Sequence, residues 1–150
     1  MTGSEPRGAS HVGHGRKDAI GLTVSAFLVL CSPLLAQETS GQRIYLDHCA
    51  SCHGVNLEGQ PNWKERLPSG RLPAPPHDAS GHTWHHSDQQ LFRIVKEGPG
   101  SIMPGYQTDM PGFASVLSDE EIAAVLDYIK GTWPERERSV QSSRSAADTN

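Results

Sequence analysis

The sequence predicts an all-α domain of three short helices and long loops, folded around something other than its own side chains. Three segments have the form of a capping box, a hydroxyl residue followed three positions later by Gln or Glu: Thr39-Ser40-Gly41-Gln42, Ser87-Asp88-Gln89-Gln90 and Ser118-Asp119-Glu120-Glu121. Between the first two, from His53 to Ser87, the chain is rich in Gly and Pro and includes Leu72-Pro73-Ala74-Pro75-Pro76. A loop that long is unusual in a compact domain unless it wraps a bound group. Apolar residues make up only 35% of the 150, with a mean hydropathy of -0.50, which is little to fill a core unaided.

The N-terminus reads as an export signal. Arg16 and Lys17 precede an apolar run from residue 19 to 30, and small or apolar residues continue to Ala36. Residues 1–36 are therefore expected to be a signal peptide, with Gln37 first in the mature chain. Leu34 sits where a small residue is preferred, and the stretch from Ala19 to Ala36 nears the minimum membrane span, so an uncleaved anchor is the alternative. Cys31 follows Leu30 instead of the small residue of a lipobox, and is expected to leave with the signal.

The first helix holds Gly41, Ile44 and Tyr45 and then delivers Cys49-Ala50-Ser51-Cys52-His53. Cys-x-x-Cys-His is the pattern of c-type haem attachment. Two thiols on one tight turn add to the two vinyl groups, and the next residue presents an imidazole to the iron. A structural zinc site needs further ligand pairs that the chain lacks. A thioredoxin-like dithiol needs a preceding strand, and no strand pattern precedes Cys49. An ordinary disulfide is the remaining alternative for a pair exported to an oxidising compartment.

The middle helix spans about Ser87 to Glu97, with Leu91, Ile94 and Val95 on one face and Gly98 as its stop. In the third, Leu117 before the cap can staple to Ile122, and Ile122, Val125, Leu126 and Ile129 recur at helical spacing until Gly131 and Trp133-Pro134 end it. The domain is thus expected over 37–134. Residues 135–150 are charged, Ser-rich and apolar-poor, the composition of a disordered tail.

Two methionines compete to fill the second axial position of the iron: Met103 in Met103-Pro104-Gly105-Tyr106 and Met110 in Met110-Pro111-Gly112-Phe113. Met103 lies five residues beyond Gly98, with little chain to turn and reach the far face of a haem. Met110 has the longer approach and leads directly into the capped third helix, which favours it. Gap-filling in a core is the alternative role for either.

From about Ser40 to Pro134 the chain resembles class I cytochromes c, through Cys49-Ala50-Ser51-Cys52-His53-Gly54, Met110-Pro111-Gly112-Phe113, and Leu117-Ser118-Asp119-Glu120-Glu121-Ile122 leading to Tyr128-Ile129-Lys130. The resemblance implies the cytochrome c fold, one covalent haem c, axial His53 and Met110, and first and last helices that cross at Gly41 and Tyr45 against Val125 and Tyr128. It also makes Pro61, in Gln60-Pro61-Asn62, the candidate carbonyl for the His53 ring N–H. Trp84 and Thr108 become candidate hydrogen-bond donors to a haem propionate.

His77, His82, His85 and His86 depart from the simplest pattern of that family. Imidazoles at this density can bind copper or zinc, with Asp78 nearby, or can form a polar rim over the haem edge. The formal net charge of -4 offers no case for nucleic-acid binding, and it becomes -5 once residues 1–36 are removed. The expected function is a periplasmic electron carrier, monomeric, docking with redox partner proteins and meeting a membrane only through an uncleaved N-terminal segment. The alternatives are a haem enzyme or sensor with an open iron position, or a metal-handling protein built on the histidines.

Overall fold

The computed structural model describes residues 40–148, so the export segment 1–36 and the Thr39 cap lie outside the described residues. Five α-helices follow in order: α1 Ser40–His48, α2 Ala50–His53, α3 Asp88–Glu97, α4 Asp119–Gly131 and α5 Glu135–Asp148. Short 3₁₀ turns occur at Thr83–His85 and Pro99–Ser101, and no strand is present among the described residues. The all-α expectation holds.

α1 and α4 cross at a point that only glycine permits. A Cβ on Gly41 would stand 2.1 Å from the Ala124 carbonyl oxygen and 3.0 Å from Tyr128 Cβ. The closest approach thus falls on Ala124, one residue before Val125. Tyr45, one turn on from Gly41, packs its ring against that of Tyr128 at 5.6 Å. Around this crossing Tyr45, Ile122, Val125, Leu126, Ile129 and Trp133 form the centre of the core. The i, i+3, i+4, i+7 stripe read in the sequence is the buried face of α4.

α4 opens with a complete capping box: the Ser118 hydroxyl accepts from the Glu121 amide while the Glu121 carboxylate accepts from the Ser118 amide. Two orphan donors of the first turn are satisfied reciprocally. α3 is capped on one side only. Ser87 accepts from the Gln90 amide, but the Gln90 side chain turns to the His86 ring at 3.2 Å. Gly98, at φ +88, ends α3 in the left-handed region, where its lack of a Cβ is an advantage.

The composition of 135–150 suggested disorder, yet residues 135–148 form α5 and pack on the domain. Its contacts are polar, so a search for apolar periodicity could not detect them. Gln141, buried, donates to the Asp88 carboxylate at 2.9 Å, and the Ser145 hydroxyl accepts from the Asp88 amide at 2.9 Å. Ser87 bonds to the Asp148 carboxylate. α5 therefore supplies acceptors and negative charge to the N-terminus of α3, where free amides and the helix dipole favour both. Arg138 returns to the Trp133 carbonyl at 2.9 Å and ties α5 to the end of α4.

Candidate haem-binding site

Between α1 and α2 the backbone winds into one tight turn. The amides of Cys52 and His53 both donate to the Cys49 carbonyl, at 3.1 and 2.9 Å, and the Cys49 amide donates to Tyr45. Cys49 is half-buried, Cys52 exposed, and both thiols are free. Burial, and secondarily the neighbouring Cys52, push the Cys49 thiol up to about 11. A catalytic redox dithiol needs the opposite shift, toward a thiolate at neutral pH.

His53 is buried, and its Nδ1 lies 2.8 Å from the carbonyl oxygen of Pro75. A carbonyl can only accept, so Nδ1 carries the proton and Nε2 is left with the lone pair. Burial lowers the His53 pKa and the Pro75 bond opposes it only in part, which keeps the ring neutral. The imidazole is set in the tautomer that a metal-binding Nε2 requires.

The bond expected from Pro61 is thus made by Pro75. Pro61 is exposed at the start of a turn. Just before it, the Gln60 amide donates to Ala74 at 2.9 Å and the Gln60 side chain accepts from the Ala74 amide at 3.0 Å. That paired contact lays 72–76 beside the turn and aims the Pro75 carbonyl at His53. Only the neighbouring Ala74–Gln60 pairing could have indicated this, and it joins residues fourteen positions apart.

The two methionines differ in burial. Met103 is 55% exposed, whereas Met110 is partly buried with its amide donating to Thr108 Oγ1 at 3.0 Å. Beyond Met110 the chain is pinned to α3: Phe113 donates to the Val95 carbonyl and Ala114 to that of Lys96, at 2.9 and 3.0 Å. Gly112 makes this approach possible, since a Cβ there would meet the Lys96 carbonyl oxygen at 2.8 Å. An ion pair between Arg71 and Asp109 links the Met110 loop to the long loop after His53.

Thr108 acts as an acceptor in the bond from the Met110 amide. Trp84 differs from its expected role. Its indole N–H donates to the Ala79 carbonyl at 3.3 Å, its ring meets His85 edge-on at 3.8 Å, and the Arg136 guanidinium of α5 lies 5.7 Å from the ring. The resemblance made this N–H a candidate donor to a propionate; in the structure it is engaged by the Ala79 carbonyl.

Of the four clustered histidines, His82 and His86 meet edge-on at 5.6 Å. His82 stacks on Trp63, His85 meets Trp84 edge-on, and His86 also bonds to Gln90. His77 lies against His53, with ring centroids 3.9 Å apart and planes 21° apart. Among the described residues no three His, Cys, Asp or Glu side chains converge as a metal site. Burial first, then the neighbouring His53 and His82, hold the His77 pKa well below the ordinary histidine value.

Two free thiols on one turn, a tautomer-fixed imidazole and a partly buried methionine on a separate loop form a donor set that fits a covalently attached haem. Tyr45 was read only as a crossing residue, but its hydroxyl also donates to the Gly54 carbonyl at 2.8 Å and steadies the end of this turn.

Comparison with known proteins agrees. The family described as cytochrome c matches residues 38–133. Cytochrome c-552 of Thermus thermophilus is 36% identical over 115 residues, covering 74% of this chain and 71% of its own. The CcoP subunit of the cbb3-type cytochrome c oxidase of Rhodobacter capsulatus is 26% identical, over 63% of this chain and 29% of its own. The cytochrome c subunit of gluconate 2-dehydrogenase from Pantoea cypripedii is 27% identical, over 72% and 23%. The chain thus spans less than a third of the length of these oxidase and dehydrogenase subunits. No solved structure matches. The family match runs across the whole α1–α4 frame and both loops that bear the candidate ligands: the chain belongs to the cytochrome c family.

Proposed function

We propose that this protein is a periplasmic carrier of single electrons, with haem c joined to Cys49 and Cys52 and the iron held by His53 and Met110. Family membership implies the covalent haem c. When bound, the haem supplies a reversible ferrous–ferric couple. The protein's residues hold and orient. Pro75 fixes the His53 tautomer, the turn at Cys49 spaces the thiols, and the pinned segment after Met110 presents the thioether.

The observation that carries this reading is the His53–Pro75 bond, which leaves Nε2 as the only basic nitrogen of a buried ring beside two free thiols. The protein acts as a monomer that docks with redox partners. The similarity to an oxidase subunit and a dehydrogenase cytochrome subunit supports a place as the partner or subunit of an oxidoreductase. Among the described residues no helix is long and apolar enough to cross a membrane, and the segment that would serve as signal or anchor lies before them.

The test is expression with a c-type maturation system, followed by visible spectroscopy of the reduced protein with and without carbon monoxide. A filled His/Met site forms no adduct readily at neutral pH; ready adduct formation would replace the carrier with an open-site enzyme or sensor. Cys49→Ser or Cys52→Ser alone should leave one thioether, an unreacted vinyl group and a red-shifted band in the reduced spectrum, and only the double variant should release haem to acid–organic solvent. Cell fractionation locates the mature protein.

A further inference from the structure

We infer that His77 is a positioning residue for the axial imidazole, its ring lying flat on His53 and fixing the plane in which His53 meets the iron. This rests on the reading of His53 as axial ligand. A hydrogen bond at Nδ1 holds one edge of the His53 ring and leaves its plane free to rock about that edge. The stacked face of His77, at 3.9 Å and 21°, removes that freedom.

His77 is itself held from every side. Its amide donates to the Leu57 carbonyl at 2.8 Å, and its carbonyl accepts the Trp133 indole N–H at 2.7 Å. Its Nδ1 lies 2.9 Å from the hydroxyl of buried Thr83, and the ring of buried Tyr45 meets it edge-on at 6.1 Å. Leu57, which supplies the carbonyl, sits at φ +64, a conformation costing a leucine about 1 kcal/mol. A residue that only filled space would need neither anchored backbone groups nor a pinned ring.

Pro75 and His77 flank a single residue, Pro76. Cβ atoms added to Gly59 or Gly81 would meet Pro76 backbone atoms at 2.4 and 2.0 Å. The tripeptide is clamped between these glycines, so the grip on the edge and the grip on the face of His53 are made by one rigid unit. The orientation of an axial imidazole and the polarity beside it set ligand-field anisotropy and reduction potential. His77 contributes to both.

The test uses the haem-loaded protein and reads the anisotropy of the ferric electron paramagnetic resonance signal together with the midpoint potential. His77→Leu keeps bulk without a flat face. It should broaden and shift the anisotropy and raise the potential, because hydrocarbon disfavours the more charged ferric state. His77→Phe restores a flat face and should return the anisotropy to that of the unaltered protein while the potential stays raised. Wild-type anisotropy and potential in His77→Leu would overturn the inference. If that variant fails to mature, Thr83→Val, which unpins the His77 ring and removes the hydroxyl's contact with the Pro76 carbonyl at 3.4 Å, should broaden the signal, and an unchanged signal there overturns it equally. Failure of the underlying ligand assignment looks different: His53→Ala would then retain the low-spin signal of the unaltered protein.

Discussion

The indole N–H of Trp133 donates to the carbonyl of His77 at 2.7 Å, so the residue that closes α4 holds the residue that lies on His53. Trp133 is 1% exposed and His77 lies 56 positions earlier in the chain. Core and site share this bond. Trp133→Phe keeps an aromatic in the core but leaves that carbonyl without its donor, and should cost about 1–3 kcal/mol, read as a lower denaturant midpoint of the haem-loaded protein.

The crossing of α1 and α4 predicts a sharp contrast between two glycines. Gly41→Ala places a methyl 2.1 Å from a backbone oxygen, with no flexible side chain to give way. Helix separation is the only relief, at a cost of about 1–3 kcal/mol or more. Gly100→Ala meets nothing within 4 Å and should change stability by less than about 0.5 kcal/mol. Thermal unfolding of the two variants side by side checks this.

Met110→Ala should abolish the weak red-end absorbance band of ferric Met ligation and open the reduced iron to carbon monoxide. Met103→Ala should do neither, since Met103 is largely in solvent. Loss of the band in the Met103 variant alone would exchange their roles. Disrupting the loop-to-loop ion pair with Arg71→Ala should loosen the Met110 side and speed carbon monoxide entry, with stability lowered by no more than about 1 kcal/mol.

Acid should loosen α5 first. Desolvation raises the Asp88 pKa, but hydrogen bonds from Lys130 and Gln141, the Lys130 charge and the Ser145 contact outweigh it and hold it below the usual carboxylate value. A carboxylate depressed in the folded state contributes stability that is complete above its unfolded pKa. That contribution is lost as pH falls through the folded value, below the ordinary aspartate range. Asp88 is over half exposed, so solvent screening limits the effect to about 1 kcal/mol or less. Asp88→Asn should flatten the pH dependence of stability in this acid range, and hydrogen exchange should show α5 amides losing protection before those of α4.

Much of this molecule was legible locally. The α4 stripe, its capping box and Gly98 depend on neighbours within a turn or two, so their spacing in the chain is their spacing in space. Cys49, Cys52 and His53 were legible for the same reason, being a single turn. Pro75, His77 and α5 were not. Pro61 resembled a known motif but stands in an exposed turn, and the carbonyl that reaches His53 comes from 22 residues downstream. The histidines looked like one group because they are close in sequence, yet only His82 and His86 meet ring to ring among them, while His77 turns to His53 and His85 to Trp84. α5 buries Gln141 and Glu137 rather than an apolar stripe, so its composition concealed that it packs.

The sequence by itself determined the attachment turn, the helices that frame it and the glycine at their crossing, because each depends on short-range stereochemistry or on one residue's missing side chain. The tertiary structure decided which carbonyl orients the His53 imidazole, which ring lies on its face and where the last helix docks. Those choices join groups brought together only when the long loop closes, and a hydrogen bond or ring stack selects its partner by distance and direction in space, which the order of residues along the chain does not encode.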